Sequence, residues 1–170
     1  MVVVFSGLSK KEMEIVSWIE FYGKYFFRVQ EIKRFFKSKN QRYNVMKNLL
    51  KKKRIIKLNR SKYYLVPIKA KSGSWIENPF VIADEIFDGS NYFVGGYAAA
   101  YFWKFSDQIP AQIDIFTTKR QGKKEIFNMR FVFHRTTKKS LENSVSKNIG
   151  NHSFNVLNKK QAKEWMKSRS

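Results

Sequence analysis

The stretch Ser38 to Val66, SKNQRYNVMKNLLKKKRIIKLNRSKYYLV, decides how this chain is read. It opens on Ser38-Lys39-Asn40-Gln41, a capping signature with Gln three residues after Ser. Tyr43, Met46 and Leu50 then recur at helical spacing with Leu49 beside them, which predicts a helix over about Asn40 to Lys52 with that stripe inward. Ile55-Ile56-Lys57-Leu58 and Tyr63-Tyr64-Leu65-Val66 are β-branched and aromatic runs on either side of the polar turn Asn59-Arg60-Ser61-Lys62, the pattern of a hairpin. Pro67 closes it.

Two more helices are predicted ahead of this stretch. Ser9-Lys10-Lys11-Glu12 is a capping box, and Ile15, Val16, Ile19 and Tyr22 share one face up to the stop at Gly23. A second helix is predicted over about Arg28 to Lys37, burying Val29, Ile32, Phe35 and Phe36. Three short helices followed by a hairpin is the order of a winged helix-turn-helix. Lys69-Ala70-Lys71-Ser72-Gly73-Ser74 is a polar, glycine-containing break. The expected fold class is α+β: a winged helix-turn-helix over residues 1–71, then a small mixed α/β domain with antiparallel strands over 72–170.

Charge follows the same division. The formal net charge is +21, and residues 1–71 hold 19 of the 34 Lys and Arg but only 4 of the 13 acids. A cationic surface on a helix-turn-helix pattern points to double-stranded DNA. The predicted third helix turns Gln41, Arg42, Asn44, Lys47 and Asn48 outward, residue types that pair with base edges. Any soluble helix carries a polar outer face. Position gives this one its meaning, because the second helix of a helix–turn–helix is the one that enters the major groove. Lys33, Arg34, Lys51, Lys52, Lys53 and Arg54 are expected on the phosphate backbone, with Arg60 and Lys62 at the wing tip. Four adjacent cations, Lys51 to Arg54, repel one another unless an anion or solvent accommodates them.

In the second half a helix is predicted over Phe80 to Phe87, a turn at Asp88-Gly89-Ser90 and a strand from Asn91 to Val94. Gly95-Gly96 is expected to make a tight turn that brings the helix Tyr97 to Trp103 close to the strand. It lacks the spacing and the Lys-Ser or Lys-Thr of a phosphate loop. Strands are predicted over Gln112 to Thr117 and Ile126 to His134, with Lys119, Arg120, Lys123 and Lys124 in a basic turn between them. Asn158 caps a last helix holding Ala162, Trp165 and Met166.

The chain resembles the AbiEi-type antitoxins, the transcriptional repressors of type IV toxin–antitoxin systems, over about residues 8–135. The resemblance is carried by Leu8-Ser9 through Ile19, Leu50 to Ile56 and Arg60 to Pro67. Tyr92-Phe93-Val94-Gly95-Gly96-Tyr97-Ala98-Ala99, Gln108-Ile109-Pro110 and Ile113 to Thr118 complete it. The family usually has glycine where Arg54 and Ser61 stand, and a longer C-terminal part. The resemblance implies a repressor whose winged helix binds inverted repeats in its own promoter through Gln41, Arg42, Asn44, Lys47 and Arg60. It also implies that the second half opposes a nucleotidyltransferase-type toxin. That half is expected to be a protein-interaction module, either for such a toxin or for self-association as a homodimer on DNA, with the basic turn at Lys119 to Lys124 as an alternative extension of the DNA footprint. The alternative function is an antitoxin that neutralises its partner by binding it, with DNA contact secondary.

No enzyme is expected. His134 and His152 have no second ligand-type residue at metal spacing, and there is no cysteine. Asp114 precedes Lys119 by five residues, but Thr117 and Thr118 stand where a nuclease core would need its second acid. Neither a metal nor a cofactor is expected. Met1-Val2-Val3-Val4-Phe5 is too short for a signal or anchor, so the protein is expected to be soluble and cytoplasmic, away from membranes.

Overall fold

The computed structural model describes residues 7–67 and 77–169. The chain divides into two compact units, Met1–Ile76 and Glu77–Ser170. The boundary expected at residues 71 and 72 lies outside the described residues.

The first unit runs α1 (Lys10–Phe21), β1 (Phe26–Arg28), a 3₁₀ helix (Val29–Phe35), α2 (Lys39–Lys51), β2 (Ile55–Lys57) and β3 (Lys62–Leu65). The Ser9–Glu12 capping box forms as expected: the Ser9 amide donates to Glu12 Oε2 at 2.6 Å, and Ser9 Oγ accepts from the Glu12 amide at 3.3 Å. The strands make an antiparallel sheet in the order β1-β3-β2. Ile15, Val16, Ile19, Phe27, Ile32, Met46, Leu49, Ile55 and Leu65 form the core beneath it.

Two expectations fail here for physical reasons. The predicted helix over Arg28 to Lys37 is a strand followed by a 3₁₀ helix. β1 pairs Phe26 with Tyr64 and Phe27 with Tyr63, and the Phe27 and Tyr63 rings stack at 5.9 Å, so the sheet claims the segment as far as Arg28. Val29, Ile32 and Phe35 recur every three residues, which suits a helix of three residues per turn. In α2 the buried stripe is Val45, Met46 and Leu49, with Tyr43 turned outward at 66% exposure and Leu50 half-buried. The inward face is thus rotated from the predicted Tyr43–Met46–Leu50 line.

The second unit runs α3 (Pro79–Phe87), β4 (Tyr92–Gly95), α4 (Gly96–Phe102), β5 (Gln112–Thr117), β6 (Gly122–Ile126), β7 (Met129–Arg135), α5 (Lys138–Leu141), β8 (Ser144–Ile149), β9 (His152–Leu157) and α6 (Lys159–Lys167). Its six-stranded sheet has the order β6-β7-β5-β4-β9-β8. It is mixed: β5 runs parallel to β7 and β4 to β9, and the other pairs are antiparallel. The predicted strand from Ile126 to His134 is the end of β6, a turn and most of β7. Phe127 and Asn128 both have positive φ, the backbone a two-residue hairpin turn requires. Lys123 and Lys124 therefore lie on a strand instead of in a turn.

One face of this sheet, with Tyr92, Val94, Ile113, Ile115, Phe131, Phe133 and Phe154, is buried. Phe87 of α3 packs on Tyr92 and Phe133, and Phe80 and Phe102 pack on Phe154. The tight approach expected at Gly95-Gly96 is present. A Cβ on Gly95 would lie 2.6 Å from the Phe116 ring, and Gly96 has φ +58 with Asp114 Oδ2 2.8 Å from its Cβ position.

Candidate nucleic-acid interface

Burial of Val45, Met46 and Leu49 fixes what α2 shows to solvent. Asn40, Tyr43, Asn44, Lys47, Asn48 and Lys51 are all exposed, and their spacing places them along one side of the helix. Lys47 Nζ lies 6.0 Å from the centre of the Tyr43 ring. Of the five predicted base-reading residues, Asn44, Lys47 and Asn48 stand on this face. Arg42 is half-buried beside it. Gln41 is engaged locally, because its Oε1 accepts the Lys37 amide at 2.8 Å while its own amide donates to Ser38 Oγ at 3.1 Å. It serves first to start the helix.

The four-cation run separates into four environments. Lys51 is exposed on the last turn of α2. Lys52 is not available as a plain phosphate ligand. Its Nζ donates to Glu12 Oε2 at 2.6 Å and to the Gly7 carbonyl at 2.9 Å, tying the end of α2 to the start of α1. Lys53 is exposed and left-handed, at φ +54. Its amide donates to the Leu50 carbonyl, and the Arg54 amide donates to the Leu49 carbonyl, which closes the helix. The left-handed residue is thus Lys53, and neither Arg54 nor Ser61 has the positive φ that would call for glycine.

Arg54 contradicts its expected role on the DNA backbone. It is 4% exposed, and burial pulls its pKa down against the opposing charge of Glu20. The β2–β3 sheet has taken it into the fold: its carbonyl accepts the Val66 amide at 2.9 Å.

The tip of the β2–β3 hairpin is built by Asn59, whose Oδ1 accepts from the amides of Ser61 at 3.0 Å and Lys62 at 2.9 Å. Arg28 on β1 donates from Nη1 to Ser61 Oγ at 3.1 Å. This arrangement leaves Arg60 exposed at the apex and Lys62 half-buried on β3. Lys33 and Arg34 are exposed on the 3₁₀ helix. The Arg34 guanidinium stacks over Trp18 at 4.5 Å, which holds it in place. Sequence reasoning missed Tyr43 and Asn40 on the α2 face, because a tyrosine at helical spacing is normally counted as core.

In the second unit Asp114 accepts from Gln112 Nε2 at 2.9 Å and lies 2.8 Å from His134 Nε2, packed against Gly96. His152 opens β9, 3.1 Å from Asp84 of α3. Asp84 also accepts the Tyr92 hydroxyl at 2.7 Å. Burial beside Asp84 and Glu85 pushes that hydroxyl's pKa well above its ordinary value. Among the described residues no three His, Cys, Asp or Glu side chains come together as a metal site, and no helix is long and apolar enough to cross a membrane. Compared with models of known families and with curated proteins, the chain matches no family and no protein.

Proposed function

We propose that this chain is a sequence-specific regulator of transcription that binds double-stranded DNA through a winged helix-turn-helix formed by its first unit. The observation that carries the reading is the single exposed face of α2, with Asn40, Asn44, Lys47, Asn48 and Lys51 in line, in the half of the chain that holds most of the positive charge. The order helix, strand, 3₁₀ helix, helix and hairpin supports it, as does the hairpin tip carrying Arg60.

In this reading α2 enters the major groove. Asn44 and Asn48 meet base edges, with Arg42 reaching in from the rim. Lys47, Lys51, Lys53, Lys33 and Arg34 neutralise phosphates, and Arg60 on the hairpin lies along the backbone or in the adjacent minor groove. The resemblance to AbiEi-type repressors makes the chain's own promoter, with inverted repeats, the operator, so the protein represses its own expression by occupying it.

The test is anisotropy titration of labelled upstream DNA against a random duplex of equal length at two salt concentrations. Preference for the upstream DNA that persists at the higher salt is the expected outcome. Equal binding to both, lost together as salt rises, would reduce the first unit to a non-specific cationic surface.

A further inference from the structure

Two adjoining cavities of about 400 and 450 Å³ open on the second unit and share Ala111 and Gln112 at the start of β5. They differ in chemistry. The first lies between Tyr97, at the start of α4, and the Gln108-Ile109-Pro110 segment. Tyr97 is 44% exposed, and its ring makes a T-shaped contact with Trp165 of α6 at 4.9 Å, which fixes the ring's position. This end offers an aromatic ring, the apolar surfaces of Ile109 and Pro110, the amide of Gln108 and that of Gln112, whose Nε2 also donates to Asp114 Oδ1 at 2.9 Å.

The second cavity is polar, lined by Arg130 of β7, Asn128 of the β6–β7 turn and Glu125 of β6. Arg130 has one weak partner, Glu125 across the strand pair at 3.9 Å, and both side chains are more than half exposed. That pair is exposed enough for an incoming anion to displace it. Residues 119–139, which include this end, carry eight Lys and Arg against Glu125 alone.

A stacking wall with amide donors and acceptors at one end and a displaceable guanidinium at the other matches a ligand with a planar heterocycle and an anion. We propose that this groove binds a nucleotide unit, with the base against Tyr97, its edge at Gln108 and Gln112, and its phosphate at Arg130. Amide side chains both donate and accept, as base edges do, and guanidinium holds phosphate through paired N–H groups. The volume falls in the range of small-ligand sites. The same chemistry is presented by a free mononucleotide and by one residue of a single strand. The inference concerns the second unit and stands apart from DNA binding by α2.

The experiment is calorimetric titration of the full chain with each 5′-mononucleotide and the matching nucleoside, and in a second arm with short single-stranded homopolymers. The variants are Tyr97→Ala, Tyr97→Phe, Arg130→Gln and Lys47→Ala. In either arm, Tyr97→Ala is expected to weaken binding about tenfold, the size of one base–aromatic contact. Tyr97→Phe should retain most of the affinity, and Arg130→Gln should reduce binding of nucleotides but not of nucleosides. Saturation by mononucleotides identifies a free nucleotide as the ligand, and binding of the homopolymers alone identifies a strand. Absence of binding in both arms overturns the proposal. So does binding that ignores Tyr97 and Arg130 but falls in Lys47→Ala, since the ligand would then sit on α2. Both altered side chains are substantially exposed, and an unchanged circular dichroism spectrum separates loss of the site from loss of the fold.

Discussion

Replacing Lys52 should destabilise the fold rather than merely weaken its grip on DNA. Its ammonium lies 2.6 Å from Glu12 Oε2, and the Glu12 side chain is 1% exposed. Lys52→Met would leave that carboxylate buried without its cation, while Glu12 Oε1 already has no hydrogen-bond partner among the described residues. Breaking a buried pair from one side costs several kcal/mol. Because Lys52 is itself 20% exposed, about 3 kcal/mol, the low end of that range, is expected. Lys51→Met, one residue away on an exposed turn, should change stability by no more than ~0.5 kcal/mol. Glu12→Gln combined with Lys52→Met buries no charge and keeps an acceptor for the Ser9 amide, so it should recover most of the loss.

Acidity supplies an independent check. In the native protein burial pushes the Glu12 carboxyl up, but the Lys52 ammonium and the Ser9 amide and hydroxyl outweigh it and hold the pKa below its ordinary 4.5. A depressed carboxyl contributes stability that is complete above the unfolded pKa and is lost as pH falls through the folded one. In Lys52→Met the lowering by the ammonium is gone, so the carboxyl titrates higher than it does in the native protein. The deficit of the variant should therefore be largest near neutral pH and shrink on acidification. Urea denaturation of the native chain and the three variants at pH 7 and pH 4 measures this. If Lys52→Met costs no more than Lys51→Met, or its deficit is the same at both pH values, the Glu12–Lys52 tie does not hold α1 to α2.

Other outcomes follow from the same geometry. Lys53→Gly removes a side chain from a left-handed position and should raise stability by about 1 kcal/mol in urea melts. The same change should reduce the log–log salt slope of DNA binding by about 0.9, because one phosphate contact is lost. Gly95→Ala drives a methyl against the Phe116 ring, which is stacked between Phe93 at 5.1 Å and His134 at 4.8 Å and cannot swing away. A loss of ~1–3 kcal/mol is expected by thermal melting. Asn44→Ala should cost roughly 1–3 kcal/mol on upstream DNA and little on random duplex, whereas Lys47→Ala should weaken both alike.

Much of this molecule is readable from local chemistry. The capping box at Ser9, the caps at Ser38 and Asn158 and the alternating pattern of strand β5 depend on residues within a few positions of one another, and all are present. What escaped reading depends on distant partners. Phe26 and Phe27 look like the approach to a helix until Tyr63 and Tyr64 pair with them. The β8–β9 hairpin has no continuous apolar run. Its strands alternate Val145, Phe154 and Val156 with serine and asparagine, and parallel pairing of Val156 with Val94 brings it into the sheet. Within the candidate interface, Asn44, Lys47 and Asn48 were legible as outward residues. Lys52 and Arg54 were not separable from Lys51 and Lys53, because four adjacent cations look alike until Glu12 and Glu20 claim two of them.

The most direct test is to map the DNA-bound surface residue by residue. Amide chemical-shift changes would be followed by NMR as the upstream duplex is added to labelled protein. The largest changes are expected along residues 40–51 of α2 and at the hairpin tip around Arg60, with buried positions such as Arg54 and the sheet of the second unit little affected. Changes concentrated in the second unit, with α2 unmoved, would contradict the assignment of α2 as the helix that reads DNA.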